Sequence, residues 1–263
     1  MTSSVDISDL TEKLHIDWED IIDYDDIMKV LGNKEIDMTN ICPKRELMLK
    51  SFEFFEPYAT EVIIVGQDPY PQIENAMGLS FSVPNVRRIP GSLVNIYLAL
   101  ANLGYFDRVD FSEKTVYDDV VKAYGKNDIT GNLSGWAMQG VLLINMAVTC
   151  EQNQSASHSG LWTKWSKKFH TKLSNFLARR GKSITYLLWG RDAQSLEGSI
   201  KKGFEKCTVK HEIMKYGHPS NMRIAKDSTE HFKFCDHFKM INDKRGPERQ
   251  LIWDIFKLTR IFT

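Results

Sequence analysis

The chain contains the stretch EVIIVGQDPYP at positions 61–71, where four apolar residues stop abruptly at Gly66. Just beyond them stand an amide (Gln67) and a carboxylate (Asp68), then a phenol (Tyr70) pinned between Pro69 and Pro71. Asn145 ends the apolar run VLLIN, and His218 lies in the run YGHPS at 216–220. A carboxylate, a carboxamide and an imidazole in one crevice could hydrogen-bond a polar ligand and stabilise charge as a bond breaks. Taken singly, each has a plainer reading. Asp-Pro after a strand is usually a turn or a helix cap, Asn closes many strands, and His-Pro-Ser is a common loop. The case for a site rests on all three reaching one place.

Four short apolar runs can place them there: 62–65, 141–144, 184–189 and, less clearly, 207–214. Between them lie segments of helical spacing. In 92–103 the apolar positions include Leu93, Ile96, Tyr97 and Leu100; in 162–177 they run Trp162, Trp165, Phe169, Leu173, Phe176 and Leu177. Strands alternating with helices predict an α/β protein with a mainly parallel sheet covered on both faces. In such sheets ligands bind beyond the carboxyl ends of the strands. Asp68, Asn145 and His218 all follow predicted strands, so parallel pairing would gather them into one crevice. Residues 107–130 read as an inserted surface excursion with a short helix.

Of the 263 residues, 42% are hydrophobic and 26% charged, the balance of an ordinary globular chain. No apolar run approaches the ~20 residues needed to span a bilayer. The first residues have neither a secretory apolar core nor an Arg-rich character, so an intracellular protein of nucleus or cytoplasm is expected. Cys42, Cys150, Cys207 and Cys235 are widely spaced without a C-x-x-C pair, which favours free thiols and no metal. The zero net charge is unevenly spread. Residues 1–40 carry eleven acidic and three basic side chains, a balance of −8; the rest of the chain carries 31 basic and 23 acidic, +8. A basic body suits a phosphate-bearing partner. The acidic 1–40 reads as a partly helical N-terminal extension: a cap, a partner-docking arm or a decoy.

Several segments then agree with one family in order: GQDPY (66–70), GLSFSVP (78–84), GSLVNIY (91–97), NLSGWAMQGVLLIN (132–145), SHS (157–159), LLWG (187–190), GHPS (217–220) and FKFCDHF (232–238). Together they closely resemble the family-one uracil-DNA glycosylases, over about residues 41–254. The resemblance implies a single domain at 41–263, three-layered α/β/α around a four-stranded parallel sheet. It also implies excision of uracil from single- or double-stranded DNA in base-excision repair, without metal or organic cofactor. DNA would be the partner of a monomer with no membrane role, and replication or repair proteins are further candidates.

By the same resemblance, Asp68 stabilises the sugar cation and orients water, and His218 hydrogen-bonds the uracil O2. Asn145 reads the O4 and N3–H edge, Tyr70 fills the space of a thymine methyl, Phe81 stacks on the base and Gln67 adds backbone contacts. Ser92 and Ser220 would contact phosphates, assisted by Ser157 and His158. Met222 would wedge into the vacated stack, and Arg223, with Lys226, would attract the backbone. Three positions depart from the family pattern. Pro71 stands where GQDPY is usually followed by histidine, Met222 replaces leucine, and Thr130-Gly131-Asn132 replaces His-Gly-Asp. These keep a rival alive, a DNA-binding scaffold whose catalysis has faded. The uracil-reading set of Asp68, Tyr70, Asn145 and His218 argues against it.

Overall fold

The computed structural model describes residues 8–84, 89–106, 131–220 and 228–258, Phe256 excepted. The expected insertion at 107–130, and Met222, Arg223 and Lys226, lie outside the described residues.

The apolar runs form the parallel strands β2 (Val62–Gly66), β3 (Val141–Asn145), β5 (Thr185–Trp189) and β6 (Glu212–Tyr216), in the order β3-β2-β5-β6. The short strands β1 (Ile41–Cys42) and β4 (Cys150–Glu151) pair antiparallel beside it. All five residues of β2 are buried, as a central strand covered on both faces requires. Its side chains alternate between two cores: Val62 and Ile64 on one face, Ile63 and Val65 on the other.

On the first face lie α3 (Gly91–Asn102), α4 (Ser134–Ala137) and α8 (His237–Arg245), whose Leu93, Ile96, Trp136, Phe238 and Ile241 join that core. The other face carries α5 (Ser159–Arg179), with Trp162, Trp165, Phe169 and Leu173 buried, and α7 (Glu197–Phe204). Asn132 accepts the Ser134 amide at 2.9 Å, so it can still bond an amide at the first turn of α4 without a charge. The last strand starts five residues later, and ends two residues later, than the run 207–214 suggested. It is an edge strand whose Glu212 and Lys215 pair with Lys244 and Glu197, so charge obscures its period.

Residues of the acidic segment belong to the second core. Leu10, Trp18, Ile21, Ile27 and Leu31 are buried there, and the Trp18 indole donates to the Phe55 carbonyl at 2.8 Å. Helix α2 (Tyr24–Leu31) begins beside Asp23, and both Asp23 and Asp26 pair with Lys168 of α5. Among the described residues this stretch packs against α5 and pairs Asp23 and Asp26 with its lysines. No helix among them is long and apolar enough to cross a membrane.

Candidate active site

Register decides what stands at the sheet's carboxyl edge. Gly66 pairs with Asn145, and Trp189 with Tyr216, so these strands end together. The chain continues from them into Gln67-Asp68, Gly190 and Gly217-His218. A cavity of about 810 Å³ opens at this edge, lined by Gln67, Asp68, Tyr70, Phe81, Asn145 and His218 together with Pro71, Ser92, Ser155 and Ser220. The three chain-distant groups therefore wall one space.

Asp68 is held from outside its own loop. Its Oδ2 accepts from the Ser155 hydroxyl at 2.8 Å and from the Ala156 amide at 2.5 Å. Ala156 takes a left-handed conformation, with φ of 64°, in the turn that presents these donors. Burial pushes the carboxyl above the ordinary aspartate range. The two donors and nearby His218 oppose that rise, while Asp192 adds to it. Behind the loop, the Cys150 and Cys42 thiols donate to the Pro69 and Pro71 carbonyls at 3.4 and 3.3 Å, and the Asn153 amide donates to Pro71 at 2.8 Å. All four cysteines are free.

The tautomer of His218 follows from its neighbour. The Ser220 backbone amide, which can only donate, points at Nδ1 from 3.1 Å, and the Ser220 hydroxyl lies 2.7 Å from the same atom. Nδ1 is thus an acceptor, and a neutral ring carries its proton on Nε2. Burial lowers the imidazole below its usual range, with Asp192 and Asp68 resisting, which keeps it neutral at physiological pH. Gly190, at φ of 90°, makes the close approach possible: a Cβ there would lie 2.9 Å from the His218 Cβ.

Asn145 depends on a glycine in the same way. A Cβ on Gly66 would collide with the Asn145 Oδ1, so only Gly at 66 leaves its carboxamide room beside the strand end. Tyr70 is partly buried against the first core, and its phenol donates to the Phe81 carbonyl at 3.2 Å and meets the Ser92 hydroxyl at 2.8 Å. Phe81 itself sits at φ of 61°, a costly conformation for an aromatic residue. Its ring lies 5.6 Å from Trp189 and 6.0 Å from His218, centroid to centroid. Neighbouring bonds hold it there: Ser80 N–H to the Leu143 carbonyl, and Val83 N–H to Gly131.

The residues expected at phosphates fare unevenly. Ser220 is exposed at the rim, but its hydroxyl faces His218. Ser92 is buried beside Tyr70, and Ser157 is exposed while accepting the Glu151 amide at 2.7 Å. His158 departs from expectation. It is only 2% exposed, at the N-cap position of α5, with Nδ1 3.0 Å from the Thr149 hydroxyl that also accepts from Trp162. Packing against this network turns the ring inward, so it offers no face to a DNA strand. Ser155 was missed by sequence reading: an exposed serine in a polar loop carries no signal without the contact to Asp68, 87 residues away.

Comparison with known proteins bears on the family and the fold. A family model described as the Uracil DNA glycosylase superfamily matches residues 52–244. The chain is 36% identical over 204 residues to a uracil-DNA glycosylase of Campylobacter jejuni, covering 77% of this chain and 74% of that one. It is 29% identical over 244 residues to a uracil-DNA glycosylase of Aliarcobacter butzleri, covering 90% and 99%. Solved structures share the fold. Uracil-DNA glycosylase of mimivirus superposes with TM-score 0.63 at 24% identity, over 91% of this chain and 85% of that one. The UNG of Nitratifractor salsuginis superposes with 0.60 at 19%, over 93% and 96%. With more than half its length matched by the family and the motif residues gathered at the sheet edge, this chain belongs to the uracil-DNA glycosylase superfamily.

Proposed function

We infer that the protein hydrolyses the N-glycosidic bond of deoxyuridine turned out of DNA, releasing uracil and leaving an abasic sugar for base-excision repair. The observation that carries the reading is the single cavity walled by Asp68, Asn145 and His218, with Tyr70 and Phe81 beside them. Breaking this bond builds positive charge on the sugar and negative charge on the departing base. The Asp68 carboxylate meets the first need and can orient the attacking water. A neutral His218, with its proton on Nε2, meets the second as a donor to the uracil O2.

Asn145 supplies one donor and one acceptor for uracil's O4 and N3–H. Cytosine presents the reverse pattern, and each buried polar group left unpaired costs ~1–3 kcal/mol. Phe81 is the stacking platform, and extrusion of the nucleotide costs a few kcal/mol that DNA contacts must offset. Ser92, Ser157 and Ser220 are proposed at phosphates. Met222 is proposed as the wedge and Arg223 as an electrostatic contact. The reading is of a monofunctional glycosylase, in which the Asp68 carboxylate with an attacking water, and no amine nucleophile, serves the sugar. A DNA substrate fits the intracellular location expected from the sequence, in nucleus or cytoplasm.

The direct test is incubation with a uracil-containing single-stranded oligonucleotide, followed by alkali. Strand breaks that need both protein and alkali support the reading; no breaks with the wild-type protein would refute it. Two further outcomes are expected. Tyr70→Ala removes the ring that excludes the C5-methyl, so thymine release should become detectable and uracil-over-thymine preference should fall roughly tenfold to a hundredfold. Unchanged preference would remove Tyr70 from that role. DNA affinity should also fall linearly against salt on logarithmic axes, since the chain beyond residue 40 carries +8 and phosphate contacts release counterions. A flat salt response in a binding titration would contradict the phosphate contacts.

A further inference from the structure

The catalytic loop has a support that no motif records. The carboxylate of Asp68 is gripped at one oxygen, Oδ2, by two donors from a single turn, the Ser155 hydroxyl and the Ala156 amide. The side chain at 71, three residues along the same loop, is a proline ring and offers no hydrogen bond. The turn is anchored on both sides: Asn153 N–H donates to the Pro71 carbonyl, and Glu151 N–H to the Ser157 hydroxyl. It is therefore tied to the loop it supports, and the geometry of donor and acceptor is set by backbone on each side.

We propose that Ser155 is a positioning residue for the glycosidic reaction. Through its hydroxyl it fixes the rotation of the Asp68 carboxylate, leaving Oδ1 turned to the cavity for water and sugar. With Pro71 unable to help, it is the side-chain donor on this carboxylate among the described residues. This rests on the reading of Asp68 given above. A hydrogen bond to the ionised form also favours it, working with the Ala156 amide and His218 against burial and Asp192. The Cys150 thiol of β4 is a further titratable neighbour, itself raised to about 12 and therefore neutral.

Ser155→Ala should lower kcat roughly tenfold with little change in KM for a uracil oligonucleotide, because an alignment and not a binding contact is lost. The acid limb of its pH–rate profile should move to higher pH, since the ionised carboxylate has lost a donor. Ser155→Thr, which keeps the hydroxyl, should restore both. Carbon-13 NMR of aspartate-labelled protein, with Asp68→Asn to assign the signal, reads the same coupling without turnover. Ser155→Ala should raise the Asp68 titration midpoint and Ser155→Thr should not. An unchanged midpoint overturns the proposal even if the protein excises uracil. A shifted midpoint in a protein that releases no uracil leaves the contact standing and instead sinks the functional reading. A kcat loss that Thr fails to rescue also overturns it, marking a steric effect.

Discussion

Asp68→Asn is expected to reduce uracil release about a thousandfold or more while leaving the protein folded and DNA binding largely intact. The reasoning is electrostatic. Among the described residues lining the cavity the carboxylate is the negative group. On the proposed reading it stands where positive charge develops on the sugar, and groups of this kind contribute 10²–10⁴-fold, as rough magnitudes, to bond cleavage. Asparagine is nearly isosteric and keeps an oxygen to accept from Ser155 and Ala156, so the loop has no reason to move. Single-turnover rates on a uracil oligonucleotide check the claim, and a variant within tenfold of wild type would remove Asp68 from the reaction.

The same substitution should make the protein more stable. Burial raises the Asp68 carboxyl above its unfolded value, so the fold favours the protonated form. The sign follows: stability is greatest below the unfolded pKa and declines as pH rises through the higher folded one, where the charge must be carried while buried. At neutral pH that penalty is present, and Asn removes it. A higher thermal midpoint for Asp68→Asn at pH 7, with the difference vanishing toward acid pH, is the expected pattern. Activity has the opposite dependence, with an acid limb above the ordinary aspartate range.

The second large effect is expected at His218. His218→Ala should cost about 10²–10³-fold in kcat, the loss typical of a single donor aimed at a developing anion. Its imidazole is lowered by burial, and Nδ1 is already occupied by the Ser220 amide. The ring therefore stays neutral below the normal histidine range, and the wild-type profile should show no break near the unperturbed histidine value of about 6.5. The acid limb belongs to Asp68, so it should survive in His218→Ala at reduced height. Disappearance of that limb in the variant would reassign it to the imidazole.

Much of this site was legible in the sequence, and for a definite reason. Val62–Gly66, Val141–Asn145 and Thr185–Trp189 are nearly continuous apolar runs, the mark of strands buried on both faces. Parallel strands share one carboxyl edge, so Asp68, Asn145 and His218 could be placed together from their positions alone. The clustered motifs then made the family recognisable.

The tertiary structure decided what depends on distant contacts and burial. Ser155 and Ala156 reach Asp68 across more than 80 residues, and no local pattern marks an exposed polar turn as its support. The proton position on His218 was settled by an amide two residues away, through a loop geometry that spacing does not encode. His158 carries a motif's identity yet is buried against Thr149 and Trp162, because α5 starts there. Charge alone left the acidic segment 1–40 as a cap, a docking arm or a decoy, whereas among its described residues Trp18 and Ile21 complete the core over α5 while Asp23 and Asp26 meet Lys168. Composition and periodicity report what a residue is and which face it prefers; which distant atom it meets is fixed only when the chain closes on itself.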